Sequence, residues 1–213
     1  MSSDPARSSA EPGDVAAQTA LKARVQLLRS QLDPDFLFNT LNSLSGLLHA
    51  GRHMDADQLI ASLAHYLRAP SSEDEPPFIP LEREVGIARA FLEIHALRMD
   101  RLSSLTVTSA PELAGVPVPC LILLPLVKAA ALAAREAAPA CEAISLCVQA
   151  AEKEVLVTLT QRFDQPVETA ARAFREGISP LSNRLALLYD SDDRLEVDLG
   201  SDRVVARLRL PME

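Results

Sequence analysis

The chain has 213 residues, of which 48% are hydrophobic and 4% aromatic, so it can bury a core built mainly from Leu, Val and Ala. Its formal net charge of −8 argues against a general nucleic-acid binder. The three cysteines, Cys120, Cys141 and Cys147, have neither metal-ligand nor CxxC spacing, so we expect neither a metal site nor a disulfide framework.

The N-terminal stretch MSSDPARSSAEPGD, residues 1–14, lacks the hydrophobic core of a signal peptide. Its Ser, Pro, Ala and charged residues predict a disordered leader. The most apolar run, VPVPCLILLPLVKAAALAA at 116–134, contains three prolines and a lysine, and its longest uninterrupted part is too short to span a bilayer. We therefore expect a cytoplasmic protein with no membrane segment.

Residues 15–70 predict a helical hairpin. Apolar residues recur at spacings of four and three on both sides of Pro34, which indicates one long amphipathic helix over 15–49, kinked at the proline, or two collinear helices. These residues are Leu21, Val25, Leu28, Leu32, Leu37, Leu41, Leu44 and Leu48. A second helix is predicted at 54–68. Because a hairpin of this size cannot bury its apolar stripe alone, we expect a homodimer whose two copies form a four-helix bundle.

The acidic, proline-rich segment 71–80 predicts a linker, and residues 81–213 predict a second domain that begins with a helix at 81–99. Further along, helices are predicted at 119–137, 167–175 and 181–189, and strands at 105–108, 143–150, 154–160, 194–199 and 203–210. A mixed sheet covered by helices on one face is an α/β sandwich. The expected fold class is therefore α+β, a helical hairpin followed by a sandwich.

The stretch LRSQLDPDFLFNTLNSLSGLL, residues 28–48, resembles the phosphoacceptor helix of LytS-type sensor histidine kinases, whose pattern is roughly Q-x-N-P-H-F-L-F-N-x-L-N. The matching residues are Gln31, Pro34, Phe36, Leu37, Phe38, Asn39, Leu41 and Asn42. The resemblance continues through IPLEREVGIARAFLEIHALRMDRL at 79–102, VPVPCLILLPLVKAA at 116–130 and GISPLSNRLALLYDSDDRLEV at 177–197. It implies a dimerisation hairpin followed by a sandwich that resembles the histidine-kinase ATPase domain.

The most consequential departure from the family pattern is Asp35, which occupies the position of the phosphoacceptor histidine. In the family an imidazole nitrogen attacks the γ-phosphate of ATP. A carboxylate is ionised and weakly nucleophilic at neutral pH. The substitution therefore predicts that autophosphorylation at this position is lost.

The positions that the resemblance assigns to the nucleotide site have also changed. Lys128 and Ala129 stand where the family has a Glu-Asn pair that holds magnesium and phosphates. Alanine cannot ligate a metal, and lysine adds positive charge where a hard cation would bind. The D-x-G that meets adenine is missing after the strand at 154–160, and the glycine-rich lid retains only Gly177. We therefore expect that ATP and magnesium binding is lost and that no cofactor is bound.

These departures predict a pseudo-histidine kinase that binds a response regulator or a sensor kinase and modulates its signalling. A docking surface is predicted around Asp35, Phe36, Phe38, Asn39 and Asn42. The alternative is that Phe36 and Phe38 pack in the bundle core, and that Asp35 and Asn39 are solvated helix residues.

Three other activities remain open. Asp35 and Asn39, one helical turn apart, could act as a phosphatase for a phosphorylated receiver domain, because an acidic residue followed a turn later by an amide is the arrangement such phosphatases use. The pocket could take another anionic ligand through Lys128. A phosphorelay role would use another histidine; the candidates are His49, His53, His65 and His95.

Overall fold

The computed structural model describes residues 34–69, 77–99, 102–137, 141–164, 168–189 and 193–212. The predicted leader at 1–14 and the part of the first helix that precedes Pro34 lie outside the described residues. The chain divides into two compact units, Met1–Ser43 and Leu44–Glu213. In the first unit, the structure describes the beginning of one helix.

The described part of the chain contains helices at α1 Pro34–His49, α2 His53–Leu67, α3 Leu81–Arg98, α4 Leu124–Glu136 and α5 Glu168–Tyr189. The predicted helices at 54–68 and 81–99 are confirmed as α2 and α3. A tight loop separates α1 from α2, where Gly51 has a φ of 72° and the Arg52 amide donates to the Leu47 carbonyl at 2.9 Å. Among the described residues, no helix is both long and apolar enough to cross a membrane.

The strands are β1 Phe78–Pro80, β2 Ser104–Ser109, β3 Pro117–Pro119, β4 Cys141–Ala151, β5 Glu154–Phe163, β6 Leu195–Leu199 and β7 Arg203–Pro211. Within the described residues, five of them form a mixed sheet in the order β2-β4-β5-β7-β6. The β2–β4 pair is parallel and the other pairs are antiparallel. The predicted α+β class, with helices and a mixed sheet, is confirmed.

One face of the sheet packs against the helices. Along β5 every second residue is buried, namely Val155, Val157, Leu159 and Gln161. Gln161 marks the side on which α4 lies, since its Nε2 donates to the Ala130 carbonyl at 3.2 Å. The α4 helix presents a fully buried stripe of Leu, Val and Ala, and its small side chains allow close contact with its neighbours.

The prediction of two helices at 167–175 and 181–189 with a lid between them is wrong. One helix, α5, runs from Glu168 to Tyr189 through Gly177, Ser179 and Pro180. A proline inside a helix costs about 3 kcal/mol. The buried side chains of α5 continue across it at helical spacing, at Ala170, Ala173, Phe174, Ile178, Leu181 and Leu185. Burial of this stripe offsets the cost of the proline, so the helix continues.

The predicted helix at 119–137 begins later than expected, at Leu124. Residues 117–119 instead form β3, which pairs antiparallel with β1 at the end of the predicted linker. Leu121 follows with a φ of 56°, a left-handed backbone that a helix cannot contain. The turn between β3 and α4 is held by groups distant in sequence, which helical periodicity does not reveal.

Candidate functional site

The residues that the resemblance assigns to the phosphoacceptor region lie mostly on one exposed face of α1. Asp35, Asn39 and Asn42 follow at i, i+4 and i+7, and all three are exposed. Phe38 neighbours them on the helix and is 67% exposed. Phe36 is half-buried. The predicted docking residues other than Phe36 thus share one solvent-facing side of the helix.

Two hydrogen bonds from side-chain hydroxyls stabilise this part of α1, and neither involves the side-chain amide of Asn39. The Thr40 hydroxyl donates to the Phe36 carbonyl at 2.7 Å, and the Ser43 hydroxyl donates to the Asn39 carbonyl at 2.9 Å. Both acceptors are backbone oxygens. An exposed carboxylate and an exposed amide one turn apart can therefore contact a single group outside the helix.

The positions assigned to the nucleotide site are brought together by close packing of α4 on α5. Ala129 is fully buried. A Cβ atom placed on Gly177 would lie 3.0 Å from the Ala129 Cα and 3.2 Å from its Cβ. The two helix backbones therefore meet at this point, and the absence of a side chain at Gly177 permits the contact.

Lys128 lies near other basic side chains of α3 and α4. Lys128 itself is exposed on α4. The nearby His95 has a pKa lowered to about 4, first by burial and then by the charges of Arg98, Arg135 and Lys128. Four basic side chains on α3 and α4 thus influence one another. Such a surface disfavours a hard divalent cation. Among the described residues, no group of three or more His, Cys, Asp or Glu side chains is arranged to hold a metal ion.

Gln161 is a buried polar residue that the sequence reasoning did not identify. Its Nε2 donates to the Ala130 carbonyl and approaches the Cys141 Sγ at 3.3 Å. Its Oε1 is buried and has no hydrogen-bond partner within the described residues. The amide links β5 to α4 next to Ala129, and its signal in the sequence is a glutamine at an inward-facing position of an alternating strand.

A second missed element is the carboxylate of Glu84 on α3, which holds the turn before α4. Glu84 is buried and accepts hydrogen bonds from the amides of Leu121 and Leu123. Burial raises the pKa of Glu84, while those backbone amides and the charge of Arg184 oppose the rise. Arg184 on α5 donates to the carbonyls of Leu121 and Cys120. In the sequence, the signal for this role of Glu84 was an acidic residue at an apolar-stripe position of the predicted helix at 81–99.

The four histidines proposed for a phosphorelay are in different environments. His49, His53 and His65 are exposed, whereas His95 packs against Phe91 with ring centroids 4.6 Å apart. Burial and positive neighbours disfavour the protonated form of His95. The structure therefore places His95 in a packing role on α3.

The chain is similar in sequence to known histidine kinases. Residues 23–102 match the family model described as histidine kinase. The sensor histidine kinase YesM of Bacillus subtilis is 27% identical over 152 residues, which are 71% of this chain and 25% of that protein. Over these residues the chain is similar to sensor histidine kinases. The sensor histidine kinase/phosphatase LytS of Staphylococcus aureus is 26% identical over 120 residues, which are 55% of this chain and 20% of that protein.

The chain spans a fifth to a quarter of the length of these two relatives. The family-model match ends before α4, the helix that carries Lys128 and Ala129. Among solved structures, the histidine kinase domain of a blue-light activated histidine kinase from Erythrobacter litoralis is 15% identical. That alignment covers 78% of this chain and 83% of the other with a TM-score of 0.43, a likeness too low to inform function.

Proposed function

We propose that this chain is a cytoplasmic pseudo-histidine kinase, which binds a response regulator or a sensor kinase and modulates its signalling without ATP-dependent autophosphorylation. The observation that carries the proposal is the contact between Gly177 and Ala129. These residues occupy two positions that the resemblance assigns to the nucleotide site. In this chain their backbones pack against each other, which leaves no room for phosphates between them.

Charge supports the same conclusion. A nucleotide bound with magnesium requires oxygen ligands for the metal. At the positions of the family's Glu-Asn pair, Lys128 is cationic and Ala129 has no polar group. The pKa of His95 is depressed in part by Arg98, Arg135 and Lys128, which indicates a cationic environment on this side of α4. No ATP or magnesium cofactor is expected.

Docking of a signalling partner is assigned to the exposed face of α1. Asp35 replaces the nucleophilic imidazole, so the helix retains the surrounding motif without its phosphoacceptor. Phe38 presents a large apolar side chain beside the polar residues of this face. An exposed aromatic residue flanked by polar groups is typical of the contact surface for another protein.

Dimerisation through the hairpin is supported by exposed apolar residues on each of its helices. The α1 helix exposes Phe38, Leu41 and Leu48, and α2 exposes Met54, Ile60 and Leu67. Leu41 and Leu48 are seven residues apart, as are Ile60 and Leu67, which is the spacing of a helix-bundle seam. Light scattering of the purified chain tests the homodimer, and a monomeric mass would contradict it.

Calorimetric titration with Mg-ATP and Mg-ADP tests the loss of the nucleotide site. We expect no saturable heat at millimolar nucleotide. The double variant Lys128→Glu/Ala129→Asn restores the family's residue types and should also fail to bind, because the backbone of α5 still occupies the space. Micromolar binding by the unmodified chain would overturn the proposal.

A second candidate activity is a phosphatase for a phosphorylated receiver domain, in which Asn39 orients a water molecule and Asp35 assists. Its support is that both side chains are exposed one turn apart on α1. The name of the Staphylococcus aureus relative also includes a phosphatase. Decay of a phosphorylated receiver should be accelerated by the unmodified chain and not by Asn39→Ala, with Asn42→Ala as the matched control. Equal decay with and without the chain would eliminate this activity.

A further inference from the structure

A cleft on the second unit lies between the N-terminal part of α2, the outer face of α3 and the strand β2. Its volume is about 360 Å³, within the range of small-molecule sites. Helices α4 and α5 contribute no residue to its lining. The cleft is therefore separate from the positions assigned to the nucleotide site.

The polar lining of the cleft carries charges of both signs. Arg89 on α3 is anchored by a bond from its Nη2 to the Val107 carbonyl at 2.9 Å. Arg52, before α2, donates through Nε to the Asp55 carboxylate at 2.7 Å. A guanidinium has five N–H donors, so each arginine retains donors for a ligand. Two guanidinium groups in the lining of one cleft favour a carboxylate over a neutral group.

The counterpart of these cations is Glu93, one turn after Arg89 on α3. Its Oε2 accepts a hydrogen bond from the Ser62 hydroxyl of α2 at 2.6 Å. A carboxylate has about four acceptor sites, so Glu93 can accept further bonds. A ligand that carried only negative charge would meet repulsion from Glu93, and one that carried only positive charge would meet repulsion from the two arginines.

The remaining lining is aliphatic apart from Gln58 and Met99. Leu97 on α3 and Leu102 and Leu105 at β2 contribute half-buried side chains to the cleft. Aliphatic groups of a ligand placed against them would be removed from water, which favours binding. The cleft therefore combines two cationic groups, one anionic group and an apolar wall.

We propose that this cleft binds a free α-amino acid with an aliphatic side chain. The α-carboxylate contacts Arg52 and Arg89, the α-ammonium contacts Glu93, and the side chain packs on the leucines. Such a ligand satisfies every charged group of the lining at once. Because the lining residues come from α2, α3 and β2, the bound amino acid would join α2 to the sandwich and supply an input signal to the chain.

The first test compares L-leucine with its two half-analogues on the full chain by calorimetry. 4-Methylpentanoate lacks the ammonium group, and 3-methylbutylamine lacks the carboxylate. We expect saturable leucine binding and at least about tenfold weaker binding of each analogue, the effect of one lost charge-assisted hydrogen bond. Binding of 4-methylpentanoate as tight as that of leucine would overturn the assignment, as would no leucine binding at millimolar concentration.

The second test uses Arg89→Gln and Glu93→Gln, with Arg172→Gln on α5 as the matched control. Arg172 does not line the cleft. Its side chain is exposed, and its Nε lies 3.9 Å from Oε1 of Glu176. Both cleft variants should weaken leucine binding at least about tenfold, while the control binds as the unmodified chain does. Glu93→Gln should also reduce the preference for leucine over 4-methylpentanoate. Unchanged leucine affinity in a folded Glu93→Gln variant, verified by circular dichroism, would refute the role of the ammonium group.

Discussion

Two regions to which the resemblance assigns catalytic positions differ in their accessibility. On α1, Asp35 and Asn39 remain exposed on one face. Between α4 and α5, Ala129 is fully buried against Gly177. In the first region, one functional group has been replaced on an open surface. In the second, the substitutions coincide with close packing of two helices.

The difference indicates that the two regions are under different physical constraints. An exposed helix face can change its chemistry at little cost in stability, since surface substitutions usually alter it by less than about 0.5 kcal/mol. Residues at a helix–helix contact cannot change at so small a cost in stability, because protein interiors are packed as densely as organic crystals. We therefore expect mutations at the contact to affect folding, and mutations on α1 to affect recognition or phosphatase activity.

The largest expected effect is that of Gly177→Leu. A side chain at this position would overlap Ala129 and separate α4 from α5. We expect a loss of about 2–3 kcal/mol in the free energy of unfolding, measured by urea denaturation. Gly46→Leu on α1 is the matched control, because within the described residues no atom lies within 4 Å of a Cβ added there. Equal effects of the two substitutions would show that α4 and α5 do not pack closely.

The pH dependence of stability tests the burial of His95 on α3 and the positive charges near it. The pKa of His95 is lowered from 6.5 to about 4, so between these values the unfolded chain binds a proton that the folded chain does not. The contribution of neutral His95 is therefore complete above pH 6.5 and decreases as the pH falls towards 4. Between pH 7 and pH 5 the free energy of unfolding should fall by about 2 kcal/mol from this group.

The His95→Gln variant is the control for this measurement of stability against pH. It removes the titrating group, so the decrease between pH 7 and pH 5 should become smaller by about the same 2 kcal/mol. An identical slope in the variant would mean that His95 titrates normally in the folded chain.

The smallest expected effects on stability are those of Asp35→Asn and Asn39→Ala. Both side chains are exposed on α1, and each change should alter the free energy of unfolding by less than about 0.5–1 kcal/mol, including the loss of an acidic group in the first helical turn. Thermal melts measure this directly. A loss comparable to that of Gly177→Leu would show that the face is buried by the chain itself.

The sequence could predict the elements whose residues are close along the chain. The periodicity of α2 and α3 and the alternation of the five strands of the mixed sheet were sufficient to place them, since side-chain period follows backbone geometry. The short strands β1 and β3 were not predicted. The same local rules failed at α5, where Gly177 and Pro180 predicted a break. A buried stripe that crosses both residues kept the helix continuous.

The prediction that Asp35 stands at the phosphoacceptor position could be made from the sequence alone, because the surrounding motif lies in one short segment. The difference between Lys128-Ala129 and the Glu-Asn pair of the family pattern was also visible in the sequence. Only the tertiary structure decided that Ala129 contacts Gly177, that Glu84 and Arg184 hold the turn before α4, and that Arg89 and Glu93 face one cleft with Arg52. These contacts join residues from separate segments, and which segments meet depends on how the whole chain packs its apolar surface.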